Sequence, residues 1–137
     1  MIRNIFWIPG KGENKIASSQ ATLIKDKGMM NDYHAVGGDR QLIIITNELF
    51  NHLTEENGLC FAKFKPNLVV DEVLEDGYYQ IGDSVIKVMR HSKKCFAECW
   101  INNKDACLMK NNIFEGCVQE SGTIAVGDSL KYLGILK

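Results

Sequence analysis

The sequence predicts a mainly β protein, either a barrel or a sandwich, with one or two short helices. Most apolar residues fall in short runs rich in β-branched and aromatic side chains, and turn residues separate most of these runs. Short strands at regular spacing, with turn signals between them, are typical of all-β folds. The chain has 137 residues and no linker rich in proline or serine. This size predicts a single domain covering 1–137.

Six segments carry the strand pattern, in which apolar residues alternate with polar ones or form a short continuous run. The predicted strands cover residues 4–8, 19–25, 41–46, 67–73, 83–89 and 128–136.

Two segments are predicted to be helical. The first is 47–55, where Thr46 or Asn47 is expected to cap the helix. Its apolar face consists of Leu49, Phe50 and Leu53. A short second helix is predicted over 112–118.

A five-residue pattern occurs twice. Residues 81–85 read IGDSV and residues 126–130 read VGDSL, and an alternating strand pattern follows each glycine–aspartate pair. Glycine allows the positive φ or close backbone approach that a tight turn requires. We interpret the two copies as similar strand starts in one barrel. Two unrelated reverse turns are the alternative, since glycine–aspartate is a common turn pair.

The charge balance argues against some classes of partner. The chain has 16 lysines and arginines against 17 acidic residues, for a net charge of −1. Nucleic acids and anionic membranes both require a cationic patch, so we predict neither as a partner. The first residues, MIRNIFWIPGKG, lack the pattern of a signal peptide, and no apolar run is long enough to span a membrane. We expect a cytoplasmic protein whose five cysteines are reduced.

Four of the five cysteines cluster late in the chain, with the spacing C-x3-C-x7-C-x9-C. They are Cys95, Cys99, Cys107 and Cys117. Structural zinc sites use paired C-x2–4-C motifs, and only the first two cysteines fit such a pair. A zinc site formed by Cys95, Cys99 and Cys107 with His91 therefore stays an alternative. Cys60 and Cys117 lie among apolar residues and are predicted to belong to the core.

Cys95 has a positively charged sequence neighbourhood. Lys93 and Lys94 precede it directly, and Arg90 lies slightly upstream. Nearby positive charge favours the thiolate, which is the nucleophile and the metal ligand. The alternative is an unreactive cysteine beside two solvated lysines.

A polar, glycine-rich loop precedes the very apolar run QLIII. It contains Asp32, His34, Asp39 and Arg40. A loop of this kind next to a buried strand is a common place for a binding site. The guanidinium of Arg40 suits a phosphate or carboxylate, and His34 could carry a proton. The alternative is a structural network in which Asp32 or Asp39 fixes Arg40.

Several longer motifs follow one another along most of the chain. They are DYHAVGGDRQLIIIT, GLCFAKFKPNLVVDEV, QIGDSVIKV, KKCFAEC and ACLMKNNIFEGCVQESGTIAVGDSL. Together they resemble the MOSC domain, named from the carboxy-terminal part of molybdenum-cofactor sulfurases and also found as small free-standing bacterial proteins. The resemblance covers roughly residues 18 to 133. This chain departs from its relatives at Phe96, where they commonly have histidine, and after Met109, where they often have proline.

The resemblance implies a barrel-like β fold that binds the molybdenum cofactor, a molybdopterin, at one end. Cys95, in the K-x-C motif, would be the catalytic residue and the metal or sulfur ligand. The residues implied to bind the cofactor are Asp32, His34, Arg40, Lys94 and Cys99. A soft thiolate suits the metal, and arginine and lysine suit the phosphate of the pterin.

If the protein is an enzyme, the resemblance implies a molybdenum-dependent reductase of N-oxygenated compounds or a sulfur transferase. No flavin, haem or pyridoxal-phosphate site is recognisable in the sequence. We therefore expect an electron-donor protein or a sulfur-donor protein as a partner, besides a small-molecule ligand. The alternatives are a non-catalytic carrier of the cofactor or of a metal, and the zinc-binding cysteine cluster.

Overall fold

The computed structural model describes residues 1–10, 16–32, 41–52, 66–90 and 112–135. These residues form eleven strands and one short helix. The elements are β1 (Ile2–Trp7), β2 (Ile16–Ser18), β3 (Gln20–Ile24), β4 (Gly28–Met29), β5 (Leu42–Thr46), α1 (Asn47–His52), β6 (Leu68–Val70), β7 (Gly77–Ile81), β8 (Ser84–Arg90), β9 (Ile113–Glu120), β10 (Gly122–Ala125) and β11 (Leu130–Gly134). The predicted mainly β fold is confirmed.

Eight of the strands form one strongly curled sheet that makes half a barrel. The strand order is β11–β7–β8–β9–β5–β6–β1–β2, and the other three strands form a small sheet in the order β10–β3–β4. All neighbouring strands are antiparallel except β5 and β6, which are parallel. Parallel neighbours require a crossover connection, and α1 lies within the one that joins β5 to β6.

Backbone hydrogen bonds connect the start of β1 to the turn before β11. The Ile2 amide donates to the Asp128 carbonyl at 2.9 Å, and the Gly127 amide donates to the Ile2 carbonyl at 2.9 Å. The two ends of the curled sheet are thereby brought together, because β1 lies next to one edge strand and Asp128 leads into the other.

The main core lies between the curled sheet and the small sheet. Leu23, Met29 and Ile124 from the small sheet pack in one cluster with residues of the curled sheet, including Leu42 and Ile44. A second cluster lies under α1 on the opposite face. Its buried members are Phe6, Ile45, Leu49, Val69 and Ile113. Successive residues of β5 point to opposite faces, so this strand contributes to both cores.

The first predicted helix is confirmed over the residues that the structure describes. It begins at Asn47, and the Thr46 hydroxyl accepts a hydrogen bond from the Leu49 amide at 3.3 Å, as an N-cap does. Leu49 is fully buried, and the ring of Phe50 lies 5.7 Å from that of Phe6. Residues 53–55 of the prediction lie outside the described residues.

The second predicted helix, over 112–118, is wrong. Ile113–Glu120 forms β9, which pairs with β5 on one side and with β8 on the other. Ile113, Phe114 and Val118 have a spacing compatible with a helix, but pairing on both edges satisfies the backbone as a central strand. Cys117, predicted to be core, is half-buried on this strand.

The two glycine–aspartate turns precede strands, as predicted, and they touch each other. Gly82 has a φ of +55° in the two-residue connection from β7 to β8, and Gly127 has a φ of +98° before β11. The Asp83 amide donates to the Thr123 carbonyl at 3.3 Å. A Cβ atom added to Gly82 would lie 2.9 Å from Asp128 Oδ2, so the second turn packs directly against the first.

Candidate cofactor site

Most residues predicted to form the site lie outside the described part of the chain. His34, Arg40, Lys94, Cys95 and Cys99 are all in this group, so their roles stay predictions. The same holds for His91, Cys107 and Asp39, which belong to the alternative interpretations, and for Cys60, which was predicted to belong to the core. Asp32 is described, and so are the residues that precede and follow each of the two segments carrying the others. These flanking residues define how the candidate site is attached to the sheet.

Asp32 precedes the segment 33–40 and has 5% of its surface exposed. Its Oδ1 atom accepts a hydrogen bond of 2.7 Å from the amide of Ile8, which follows β1. Its own amide donates to the Met29 carbonyl at 3.1 Å. A hydrogen bond from an amide to a carboxylate is stronger than one between neutral groups. Asp32 therefore ties the beginning of this segment to the end of β1.

Gln41 follows the same segment and is 4% exposed. Its Oε1 atom accepts a hydrogen bond of 2.8 Å from the Val118 amide in β9. The segment that carries His34 and Arg40 is thus bordered on both sides by a buried side chain whose oxygen accepts from a backbone amide.

Asn67, directly before β6, is fully buried, and its side-chain oxygen likewise accepts a hydrogen bond from a backbone amide. Its Oδ1 atom accepts from the Ile43 amide at 3.0 Å, and its Nδ2 atom donates to the Phe6 carbonyl at 3.3 Å. Its backbone also bonds to both neighbours, with distances of 2.8 Å to the Ile43 carbonyl and to the Phe6 amide. One side chain therefore helps to set the register of β6 between β5 and β1.

The segment 91–111, which carries Lys94, Cys95 and Cys99, connects the neighbouring strands β8 and β9. Before it, the Arg90 amide donates to Asp76 Oδ1 at 2.9 Å. After it, Asn112 Oδ1 accepts a hydrogen bond of 2.7 Å from the Thr46 hydroxyl. The Asn112 carbonyl also accepts from the Thr46 amide at 3.2 Å.

The two segments are attached at opposite ends of β5. Asp32, Gln41 and Asn67 lie where β5 begins, a region we call the Asp32 end. Thr46, Asn112 and Arg90 lie where β5 ends, a region we call the Asn112 end. The assignment follows from the register, since Ile45 is paired with Ile113 and Leu42 with Gly116. On the β8 side, Arg90 is paired with Phe114.

Although they are attached at opposite ends of β5, the segments 33–40 and 91–111 are long enough to reach a common site. Five residues of β5 span about 13 Å from Leu42 to Thr46. A connection of 21 residues can extend about 35 Å away from neighbouring attachment points and return, and one of eight residues can extend about 15 Å. A shared site therefore satisfies the limits set by the described attachments.

The described residues do not make a metal site by themselves. No group of three or more histidine, cysteine, aspartate or glutamate side chains that could hold a metal ion occurs within these ranges. Every buried side-chain nitrogen or oxygen atom among them has a hydrogen-bond partner. No helix in this part of the chain is long and apolar enough to cross a membrane.

One described titratable group has a displaced pKa. Burial raises the pKa of Tyr79 above its usual 10.0, and the Glu75 carboxylate acts in the same direction. The Tyr79 hydroxyl accepts a hydrogen bond from the Glu75 amide at 2.9 Å, which opposes the increase. The ring lies 5.1 Å from that of Tyr132 on the neighbouring strand β11.

Sequence reasoning missed Gln41, Thr46, Asn67 and Asn112 as anchoring residues, although Thr46 was expected as a helix cap. A signal for them exists in the sequence. Gln41, Asn67 and Asn112 are each a polar amide residue directly before an apolar run, with the patterns QLIII, NLVV and NIF. An amide residue at such a position can accept from or donate to the neighbouring strand as pairing begins.

No family model and no curated protein matches the chain. The fold is similar to a solved structure described as that of a hypothetical protein. The two share 19% sequence identity with a TM-score of 0.61, over 98% of this chain and 67% of the other. At this identity the similarity concerns the fold alone. The resemblance to the MOSC family stays a prediction from the sequence motifs.

Proposed function

We propose that this protein is a MOSC-type protein that binds the molybdenum cofactor, with Cys95 as the metal or sulfur ligand. The observation that carries the proposal is the order of the motifs in the chain: the Asp32–Arg40 loop, the IGD turn, and then K-x-C-x3-C. The mainly β, half-barrel fold is compatible with this order. Buried hydrogen bonds border segment 33–40 on both sides, at Asp32 and Gln41, and another follows segment 91–111 at Asn112.

The donor types present in the chain suit such a cofactor. A cysteine thiolate is a soft ligand, and Lys94 next to Cys95 in sequence favours the charged form of the thiol. Arg40 offers parallel N–H donors for a phosphate group, and Lys94 offers a compact positive charge. His34 can donate a hydrogen bond to a substrate oxygen or supply a proton to it.

When bound, the cofactor would supply the redox chemistry for removing oxygen from an N-oxygenated compound, or would accept sulfur in a transfer reaction. The residues of this chain would bind it, orient it and control the proton at the substrate oxygen. The reductase requires an electron-donor protein and the sulfur transferase requires a sulfur-donor protein. We place the site in the cytoplasm, where the thiols stay reduced.

The test is metal analysis of the protein purified from a host that makes molybdenum cofactor. We expect close to one molybdenum per chain in the wild type, and a loss of at least tenfold in Cys95→Ser. The matched control is Cys117→Ser, because Cys117 is a half-buried thiol on β9 that we assign no role in binding. This control should keep its molybdenum.

Two results would contradict the proposal. The first is stoichiometric zinc that resists mild chelation and disappears in Cys95→Ser, which would indicate the zinc-binding cluster. The second is a wild-type protein without molybdenum from a host whose other molybdenum proteins are loaded. Circular dichroism of each variant establishes whether it is folded, so that a lost ligand can be distinguished from a lost structure.

A second measurement separates an enzyme from a carrier. Loaded protein is incubated with an N-oxide or N-hydroxylated compound and an excess of a chemical electron donor. Turnover that is lost in Cys95→Ser supports the reductase. Molybdenum loading without turnover, together with transfer of the cofactor to an acceptor protein, supports the carrier.

A further inference from the structure

The strand β11 lies at one edge of the curled sheet, and its outer side is open. In the part of the chain that the structure describes, β11 pairs with β7 alone. A strand at the edge of a sheet presents a row of amides and carbonyls that can pair with a strand of another molecule. Every residue of Leu130–Gly134 is half-buried or exposed. The edge is therefore accessible to such a strand.

Exposed apolar side chains are concentrated around this strand. Seven large apolar residues are exposed within the described ranges, and five of them lie on β11 or in the chain segments next to it. Tyr132 belongs to β11 and Ile135 follows it, with 40% and 70% of their surfaces exposed. Met1, Val73 and Val126 are the other three. Apolar residues grouped in this way on a surface are typical of a protein–protein contact.

Two hydrogen bonds place the loop 71–76 along the same edge. The Tyr132 hydroxyl donates to the Asp76 carbonyl at 3.0 Å. At the other end of the loop, the Asp71 amide donates to the Met1 carbonyl at 3.2 Å. The loop therefore runs from β11 to the residue that precedes β1, and its side chains belong to the surface around the edge.

The charges differ between the middle of β11 and its end. Lys131 is exposed in the middle of the strand. The loop 71–76, with the sequence DEVLED, lies at the end of the strand and carries four carboxylates. Two of them are paired, one with Arg3 and one with the amino terminus. Glu75 and Asp76 are exposed, and neither forms an ion pair within the described ranges.

This arrangement is complementary to a second copy of itself. Suppose that two β11 strands pair in antiparallel orientation about a two-fold axis at Tyr132. The two Tyr132 rings are then cross-strand neighbours, which is a favourable pairing. Each Lys131 is opposite Leu133 of the other copy, near the end of β11 where the loop 71–76 lies. The two-fold symmetry makes this approach of opposite charges occur twice. A pairing centred on Lys131 would instead oppose two lysines, which is unfavourable.

We propose that the β11 edge is an interface between two copies of this chain, which pair their β11 strands in antiparallel orientation about Tyr132. The proposal concerns the association of the chain and goes beyond the proposed function, on which it does not depend. Stable interfaces bury about 1,200 Å² or more, and the pairing of two five-residue strands supplies only part of this area. The exposed apolar residues around β11 add to it. We therefore expect a dimer that dissociates on dilution.

The experiment measures the mass of the full chain by sedimentation equilibrium at concentrations from about 1 to 200 µM. The variants are Lys131→Glu, Glu75→Lys and the double variant that carries both substitutions. Lys87→Glu and Asp83→Lys are matched controls, because they reverse a charge at exposed positions of β8 and of the turn before it. Circular dichroism establishes that each variant is folded. Amide hydrogen exchange is measured at the two ends of the concentration range.

We expect the wild type to dimerise reversibly. Lys131→Glu and Glu75→Lys should each raise the dimer Kd by about tenfold or more, because each change turns two attractive approaches into repulsive ones. The double variant should return to within about threefold of the wild type, since it exchanges the two charges. Both controls should match the wild type. Exchange in 130–134 should be slower at high concentration, with β3 and β10 unchanged.

A further variant tests the register. Tyr132→Lys places two positive charges directly opposite each other at the two-fold axis, so it should raise the Kd by about tenfold or more. Tyr132→Phe keeps the ring and is its matched control. If Glu75→Lys fails to fold, Lys131→Glu and Tyr132→Lys decide the question, because both substitutions lie at exposed positions of the edge strand.

Three results would overturn the proposal. The first is a wild type that stays monomeric over the whole concentration range. The second is a dimer whose Kd is not restored in the double variant, which would show that the two charges do not meet across the interface. The third is association without any change of exchange in 130–134, which would place the interface on another surface. None of these results bears on the binding of a cofactor.

Discussion

The two ends of β5 are held by different kinds of contact. At the Asp32 end, the side chains of Asp32, Gln41 and Asn67 bond to backbone amides of neighbouring chain segments. At the Asn112 end, the central contact joins two side chains, Thr46 and Asn112, and the Thr46 hydroxyl also caps α1. The Asp32 end thus depends on side chains that complete the backbone hydrogen bonding, and the Asn112 end depends on a linked pair of polar side chains.

The difference shows how a single strand, β5, can anchor the segments 33–40 and 91–111 at its two opposite ends. In the proposed function, the Asp32 end carries the residues that recognise the anion, His34 and Arg40. The Asn112 end carries the segment with the Cys95 thiolate. Because β5 is buried on both faces, it can hold the two attachment points about 13 Å apart with little freedom to move. Variants at each end should therefore affect stability through distinguishable mechanisms.

The largest effect is expected near the Asp32 end, at Gly122. A Cβ atom there would lie 2.5 Å from the Asp83 carbonyl oxygen and 2.7 Å from the Ser84 amide nitrogen, which are backbone atoms that cannot move aside. We expect Gly122→Ala to lower the free energy of unfolding by about 3 kcal/mol, by forcing β10 away from the β7–β8 turn. Urea denaturation measures this change.

Gly116→Ala is the matched control for Gly122→Ala. Its added Cβ would lie 3.3 Å from Ile44 Cδ1, the end of a side chain that can shift. We expect a change of less than about 1 kcal/mol. Equal effects of the two substitutions would contradict the close packing of Gly122 against the turn between β7 and β8.

An intermediate effect is expected at the Asn112 end. Thr46→Val keeps the shape of the side chain but removes the hydroxyl that caps α1 and bonds to Asn112. We expect a loss of about 2 kcal/mol in the free energy of unfolding, since a cap and a buried hydrogen bond each contribute about 1 kcal/mol. Thr123→Val, at an exposed position of β10, should change stability by less than about 0.5 kcal/mol. Similar stability of both variants would show that the Thr46–Asn112 contact contributes little.

The smallest effect at neutral pH is expected at Tyr79, and it should depend on pH. Its folded-state pKa lies above the ordinary 10.0, so the fold favours the neutral phenol. This contribution to stability is fully present below pH 10 and is lost as pH rises through the folded-state pKa. Tyr79→Phe should cost about 1 kcal/mol at neutral pH through the lost hydrogen bond, and should lose less stability than the wild type above pH 10. Denaturation at a series of alkaline pH values checks both points, with Tyr78→Phe, at a half-buried position of the same strand, as the control. An unchanged pH dependence in Tyr79→Phe would contradict the account.

Much of the sheet could be predicted from local sequence. Alternation in DSVIKVM and the apolar run QLIIIT identified β8 and β5, because these strands bury residues at a period of two or on both faces. β9 was mistaken for a helix because Ile113, Phe114 and Val118 also have a helical spacing. Its two-sided pairing with β5 and β8, which decides the structure, is not a local property. The strands β2, β4, β7 and β10 were not predicted either.

The candidate site was less accessible to prediction. The order of the motifs predicts a site in the segments around Cys95 and His34, but the contacts that anchor these segments depend on the register of the strands. Gln41 accepts from Val118, which is 77 residues away in the sequence. Thr46 and Asn112 are separated by 66 residues, and Asn67 and Phe6 by 61. No pattern within one segment specifies which distant amide or hydroxyl will face such a side chain.

The most direct test of the central claim is whether one ligand contacts segments attached at opposite ends of β5. Amide hydrogen exchange is measured for protein from a cofactor-producing host and for protein from a host that lacks the cofactor. The account predicts slower exchange in both 33–40 and 91–111 when the cofactor is bound, with β7 and β8 unchanged. Protection of only one of these segments, or of neither, would contradict a shared site.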